Sequence, residues 1–300
     1  MMTRSPKVSL VSPAAGCSVV LIAASLSAQA PTPLPDQSRF LQDTRIALQS
    51  DRQSQSRYTY REKRTETRLG DDGEVIGKSL KVFEVYPAPA GGDTYRRLMS
   101  VDGAPVDREK LEQSDREHRT ALVECARHVE RESLTERERR LRSEADARRK
   151  ENETIDDAFR LYDFRMIGRE RVDGYDAIQF TFSPAPGVAP RTSEGKLLQK
   201  FSGRAWVAER DHQLIRFEGE SIDDVAMGFG LLARLYKGSR IVFQRREVSD
   251  GVWLPSEFRY SGGGRMLLLK KLRVEGIREY SDYQSVNQGT FLTASARSTK

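Results

Sequence analysis

The scarcest chemistry-bearing side chains in this 300-residue sequence are three histidines, His118, His128 and His212. His118 and His128 flank Cys125 at separations of seven and three in a stretch that reads as helix, so all three can share one helix face. Cysteine with histidine can bind zinc. A structural zinc site normally takes four ligands, however, and two turns of helix supply at most three. The spacing therefore favours a polar helix seam over a metal. His212 sits in Asp211-His212-Gln213 between two strand-like stretches and reads as an exposed hairpin turn.

Other nucleophile and phosphate-loop patterns are incomplete. No serine stands in a G-x-S-x-G elbow. Ser239 follows Gly238 without the G-x-x-x-x-G-K spacing of a phosphate loop. Gly228 and Gly230 lack a third glycine and a strand–helix–strand context, and Gly262, Gly263 and Gly264 read as a turn or bulge. The acidic residues fall on strand faces or on a charged helix, and sequence does not fix the carboxylate separation that glycoside hydrolysis needs. Neither an enzyme nor a cofactor is expected.

The remaining signal is apolar residues alternating along strands. In residues 203–260, Ile215 and Phe217 face one way, while Leu214, Arg216 and Glu218 face the other. Ile241 and Phe243 repeat the pattern, as do Leu254, Phe258 and Tyr260. A period of two is that of a pleated strand, and Asp250-Gly251 is a hairpin signal. Strands are also expected over 58–69, 74–86, 94–101, 162–172, 175–183 and 266–280, joined by turns such as Asp173-Gly174. One amphipathic helix is expected over 36–55 behind a cap at Asp36. Residues 225–237 read as a short helix or an apolar flap.

Between these strands lies a different kind of sequence. Residues 106–158 contain almost no Gly or Pro and are dominated by Arg, Lys and Glu, so they read as long helix with a break near Glu151-Asn152. Leu111, Leu122, Cys125, Val129, Leu134 and Leu141 form only a thin apolar stripe, as on a solvated arm or a helix lying over something.

The first thirty residues read as a secretory signal peptide. Arg4 and Lys7 are followed by an apolar run over 17–26, and Ala28-Gln29-Ala30 fits small-residue cleavage. Ala14-Ala15-Gly16-Cys17 imitates an acylation site, but its apolar run follows the cysteine, so cleavage after Ala30 is preferred. No later segment is apolar for long enough to span a membrane as a helix. Cleavage lowers the formal charge from +6 to +4, too weak an excess to imply nucleic acid. It also leaves Cys125 without a disulfide partner.

The motif Trp206 to Glu218 (W-V-x-x-x-D-x-x-L-I-R-F-E), with G-R-A-W-V before it and K-G-S and D-G-V-W-L-P after it, resembles exported proteins related to bacterial outer-membrane lipoprotein-sorting factors, the LolA/LolB/RseB-like family. The resemblance covers residues 36–105 and 160–283, with 106–158 as an insertion. It implies a mainly β fold with α, a curved antiparallel sheet forming an unclosed half-barrel with covering helices, in one domain over 31–300. It further implies a periplasmic carrier or sensor that holds lipid or lipoprotein acyl chains on the concave apolar face. Phe180, Phe182, Phe217, Phe243, Leu254 and Phe258 are the candidate lining. The alternative is an envelope interaction module whose charged helices, residues 106–158, bind a protein partner.

Overall fold

The computed structural model describes residues 33–286 apart from 71, 88–93, 228–232 and 267–269. The expected signal peptide lies outside the described residues. Helix α1 (Gln37–Gln55) begins behind Asp36, whose carboxylate accepts the backbone N–H of Arg39 at 2.8 Å. That satisfies one of the donors a helix start leaves unpaired. Strands β1 (Tyr58–Leu69), β2 (Val75–Tyr86), β3 (Tyr95–Val101) and β4 (Ala104–Pro105) follow as a meander. Helices α2 (Arg108–Arg131) and α3 (Leu134–Leu161) come next, then β5 (Tyr162–Val172), β6 (Tyr175–Pro184) and the short α4 (Ser193–Leu198). The chain ends its described part in β7 (Phe201–Ala208), β8 (Leu214–Ser221), β9 (Val225–Met227), β10 (Ala233–Leu235), β11 (Arg240–Ser249), β12 (Val252–Met266) and β13 (Lys270–Ser285).

Eleven strands form one path in the order β4-β3-β2-β1-β13-β12-β11-β8-β7-β6-β5, and β10 joins β12 with β9 beyond it. The pairings are antiparallel, and the path does not close on itself. Hairpin chemistry explains the tight connections. Asp173 and Gly174 have φ of 51° and 90°, and Asp102 and Gly103 have 51° and 84°. Two successive positive φ values match the right-handed twist of the flanking strands, and Asp-Gly tolerates them best.

Four local expectations are corrected. The charged insertion is two helices whose break falls at Glu132-Ser133, not near Glu151-Asn152. Ser133 caps α3 reciprocally with Glu136, which starts a new helix there. Where a short helix or an apolar flap is expected over 225–237, Val225–Met227 and Ala233–Leu235 are the paired strands β9 and β10, and 228–232 lie outside the described residues. Gly262, Gly263 and Gly264 do not end the meander: they lie inside β12, where a Cβ on Gly262 would sit 2.3 Å from Ser239 Oγ. Finally, a register shift opposite Trp206 and Val207 separates Ile215 from Phe217. Ile215 packs with Trp206 and Trp253, whereas Leu214 and Phe217 both pack against the cluster of Tyr162, Phe182 and Ala205 on the other face. An extra residue in one strand turns the following side chains to the other face.

The core is split by the sheet. On one face Phe40 of α1 meets Ile178, Phe180 and Val207. Nearby, Tyr162, Phe182 and Ala205 pack with Leu198 of α4, and the Tyr162 hydroxyl donates to the Leu198 carbonyl at 2.5 Å. Val172, Ala177, Trp206, Ala208, Ile215 and Trp253 form a second cluster on the opposite side. Trp253 Nε1 donates to Asp211 there at 3.0 Å.

Candidate ligand-binding face

Cross-strand register assembles one row across eight strands. Phe180 pairs with Ala205, Ala205 with Phe217, Phe217 with Phe243, and Phe243 with Phe258. The row continues from Phe258 to Arg278, then Arg64 and Lys81. Paired residues of antiparallel strands project from the same face, so aromatic side chains give way to cations along a single line.

The six candidate residues divide. Phe180 and Phe182 are buried at 1% and 3% exposure beneath the helices. Phe217, Phe243 and Phe258 remain half-buried. Phe182 belongs to the neighbouring row and stacks on Phe217, centroids 4.9 Å apart and planes 15° apart. The contact spans β7, where the small residues Gly203 and Ala205 leave room for the two rings to meet. Leu254 is not brought into the row. It is fully buried opposite Arg246, beyond a bulge at Gln244/Arg245 that shifts its register from that of Phe258.

Sequence reasoning missed the polar end of the row. The Arg278 guanidinium lies 5.9 Å from the Phe258 ring centroid and also meets the Tyr280 side chain. Arg64 lies over Phe83 at 4.8 Å and donates to Glu62 at 2.6 and 3.0 Å. Glu62 is only 2% exposed and also lies 3.5 Å from Arg96. The hydrogen bond to Glu62 holds Arg64 more firmly protonated than usual. Burial pushes the Tyr260 and Tyr280 hydroxyls up, so both stay neutral donors. The alternation of Tyr60, Glu62, Arg64 and Glu66 was the sequence signal for this patch. It reads as an ordinary solvated strand face until the register sets it beside Phe258.

The opposite face holds a different chemistry. Lys63, Glu279, Glu257 and Gln244 pair in register there and help line a cavity of about 840 Å³. Val82 and Met99, from one end of the strand order, and Asp173, from the other, contribute to the same cavity, so the sheet curls around it, and the aromatic row lies on the other face, not on the concave face expected to hold acyl chains. Lys63 and Glu279 form an ion pair of 2.8 Å at its wall. Arg245 is buried nearby and donates to the Gln213 side chain at 3.2 Å and to the Trp253 carbonyl at 2.6 Å. Burial pulls its pKa down to about 10. Hydrocarbon placed in this cavity would desolvate charged groups without pairing them. The aromatic row suits a chain better.

Under α2 a second cavity of about 290 Å³ lies against β1–β3. His118 stacks on Tyr95 at 4.0 Å and 12°, and Arg97 bridges Asp115 at 2.9 Å. Cys125 is half-buried farther along α2. Among the described residues no group of three or more His, Cys, Asp or Glu could hold a metal ion. His212 does occupy the β7–β8 turn, with φ of 58°, but its ring packs on Phe40 at 4.7 Å. No described helix is long and apolar enough to cross a membrane.

The chain matches no family model. It matches no curated protein. Among solved structures it is similar to a DUF1329 family protein from Desulfovibrio piger, at 14% identity over 86% of this chain and 98% of that one, with a TM-score of 0.27. It is also similar to a putative outer-membrane lipoprotein-sorting protein domain from Vibrio parahaemolyticus, at 10% identity, 86% and 96% coverage and a TM-score of 0.29. A LolA superfamily protein from Nitrosomonas europaea shows 8% identity, 87% and 100% coverage and a TM-score of 0.28.

Proposed function

We propose that the protein is an exported, non-enzymatic carrier or sensor that holds acyl chains of lipid or lipoprotein on the aromatic row. The observation that carries this reading is the half-burial of Phe217, Phe243 and Phe258, three contiguous aromatic side chains in register. Covering apolar surface of this kind contributes about 25 cal/mol per Å², with no polar constellation required. On this reading the periplasm is the working compartment, reached through the signal sequence.

The test is native mass spectrometry of protein purified without detergent, followed by organic extraction and rebinding of a fluorescent acyl probe. The Phe217→Asp/Phe243→Asp double variant should lose the probe while keeping its β-sheet circular dichroism. Unchanged retention by a folded double variant would sink the assignment.

A second reading is favoured by the helical insertion. None of the residues of α2 is buried, and Val123, Leu134 and Leu141 are 38%, 81% and 47% exposed. Here the arm binds an envelope protein. Replacing residues 120–150 by a Gly-Ser linker spares Asp115 and His118, and also Asp157, which accepts the backbone N–H groups of Arg191 and Thr192. Loss of a co-purifying partner with acyl binding intact would favour a docking arm, and loss of acyl binding a lid.

A further inference from the structure

The aromatic row does not fade into a neutral surface. It runs into a basic one. Among the described side chains of β13, β1, β2 and β3, the face shared with Phe258 carries Arg278, Arg64, Arg68, Lys81 and Arg96 against Glu62 and Glu66. Glu62 is consumed by Arg64 and Arg96, and Glu66 accepts from the Tyr260 hydroxyl at 3.4 Å. Arg278, next to the last phenylalanine, meets an aromatic ring and a neutral tyrosine, and among the described residues it forms no ion pair with a carboxylate. A guanidinium held half-buried over a ring is weakly hydrated and presents a planar fork of donors, the geometry that carboxylates and phosphates accept.

We infer that this face selects an anionic amphiphile, with the acyl chain along Phe217, Phe243 and Phe258 and its carboxylate or phosphate head on Arg278. The inference rests on the acyl-binding reading above and adds the head-group class. Charge complementarity sets the direction of the bound molecule: the head lies toward β13 and the chain tail toward β8. Lys81, Arg68 and Arg96 provide the surrounding field without needing to touch the ligand.

The test compares decanoate, decyl phosphate, decan-1-ol and inorganic phosphate by calorimetric titration of the full chain at neutral pH. Both anionic amphiphiles should bind about tenfold tighter than decan-1-ol, the scale of one charge-assisted contact. Arg278→Gln should shrink that preference to about twofold, while Arg278→Lys keeps part of it. Equal affinity for decanoate and decan-1-ol in the wild type overturns the inference and leaves acyl binding standing. So does a preference intact in Arg278→Gln. Absence of decan-1-ol and decanoate binding alike overturns both. If inorganic phosphate displaces decyl phosphate at equal concentration, the site is a bare anion site and the inference falls. Should Arg278→Gln fail to fold, salt decides: a wild-type preference unchanged from about 50 to about 500 mM salt overturns the proposal.

Discussion

The side-chain amide of Gln37 is bound to the outer edge of β5 at Met166. Its Oε1 accepts the Met166 backbone N–H at 2.8 Å, while its Nε2 donates to the Phe164 carbonyl at 2.9 Å. These are the backbone groups that a further strand would have used, because β5 ends the strand order. One glutamine at the start of α1 therefore blocks a sheet edge and fixes the helix over the aromatic core.

Gln37→Ala should unblock that edge. An uncovered edge strand is a template for pairing with another chain. The variant should be destabilised by about 1–3 kcal/mol for the two orphaned backbone groups. It should also shift toward dimer in sedimentation velocity, whereas Gln37→Glu keeps one of the two bonds. A monomer of unchanged stability would refute the edge-blocking role.

Asp157 is the polar anchor of α3. It is 1% exposed and accepts from the backbone N–H groups of Arg191 and Thr192 at 2.8 and 2.9 Å, from Thr192 Oγ1 at 2.9 Å and from Arg160 at 2.5 Å. Burial opposes its charge, but these bonds together hold its pKa below the usual carboxylate value. A depressed carboxylate contributes stability that is complete above its unfolded pKa and is lost as pH falls through the folded one. Asp157→Asn should cost about 2–3 kcal/mol at pH 7. It should also flatten the acid limb of the stability curve below about pH 4. Urea melts across that range measure both.

His118 contributes to α2 with the same sign of pH dependence, although its charged form is the acidic one. Burial lowers its pKa against the raising effect of Asp115, with Arg119 adding to the lowering. A histidine held neutral in the fold stabilises above its unfolded pKa, and that contribution is lost as pH falls. Amide protection factors in the first half of α2, corrected for the intrinsic exchange rate, should fall between about pH 7 and about pH 5.5. His118→Phe, which keeps a ring on Tyr95, should abolish the pH dependence.

Ser133 and Glu136 form a reciprocal cap, with Ser133 N–H donating to Glu136 at 2.8 Å and Glu136 N–H to Ser133 Oγ at 3.3 Å. Ser133→Ala should loosen the first turn of α3 by about 1 kcal/mol. The effect should appear as local exchange over 134–140, with little change in the melting temperature.

Strand periodicity made most of the sheet legible, because alternation and Asp-Gly turns act within a few residues of each other. Ile215 shows where that fails. A bulge depends on the partner strand, so the face of a residue beyond it cannot be counted from sequence. Leu254 was misgrouped with Phe258 for the same reason. The polar half of the candidate face was hidden differently. Arg278 and Phe258 lie twenty positions apart and become neighbours only through the β12–β13 register. The break at Ser133 was written locally as S-x-x-E, a capping box overlooked inside a uniformly charged run.

The pair α2–α3 joins β4 to β5, the two ends of the strand order. Its outer ends are moored, α2 on β3 through Tyr95 and Arg97, and α3 to the 189–192 segment through Asp157 and Arg160. The joint between the two helices is two residues long, braced by Arg140 against Glu132 at 2.8 Å. The two edge strands of the sheet are thus tied to each other through a single two-residue joint between helices.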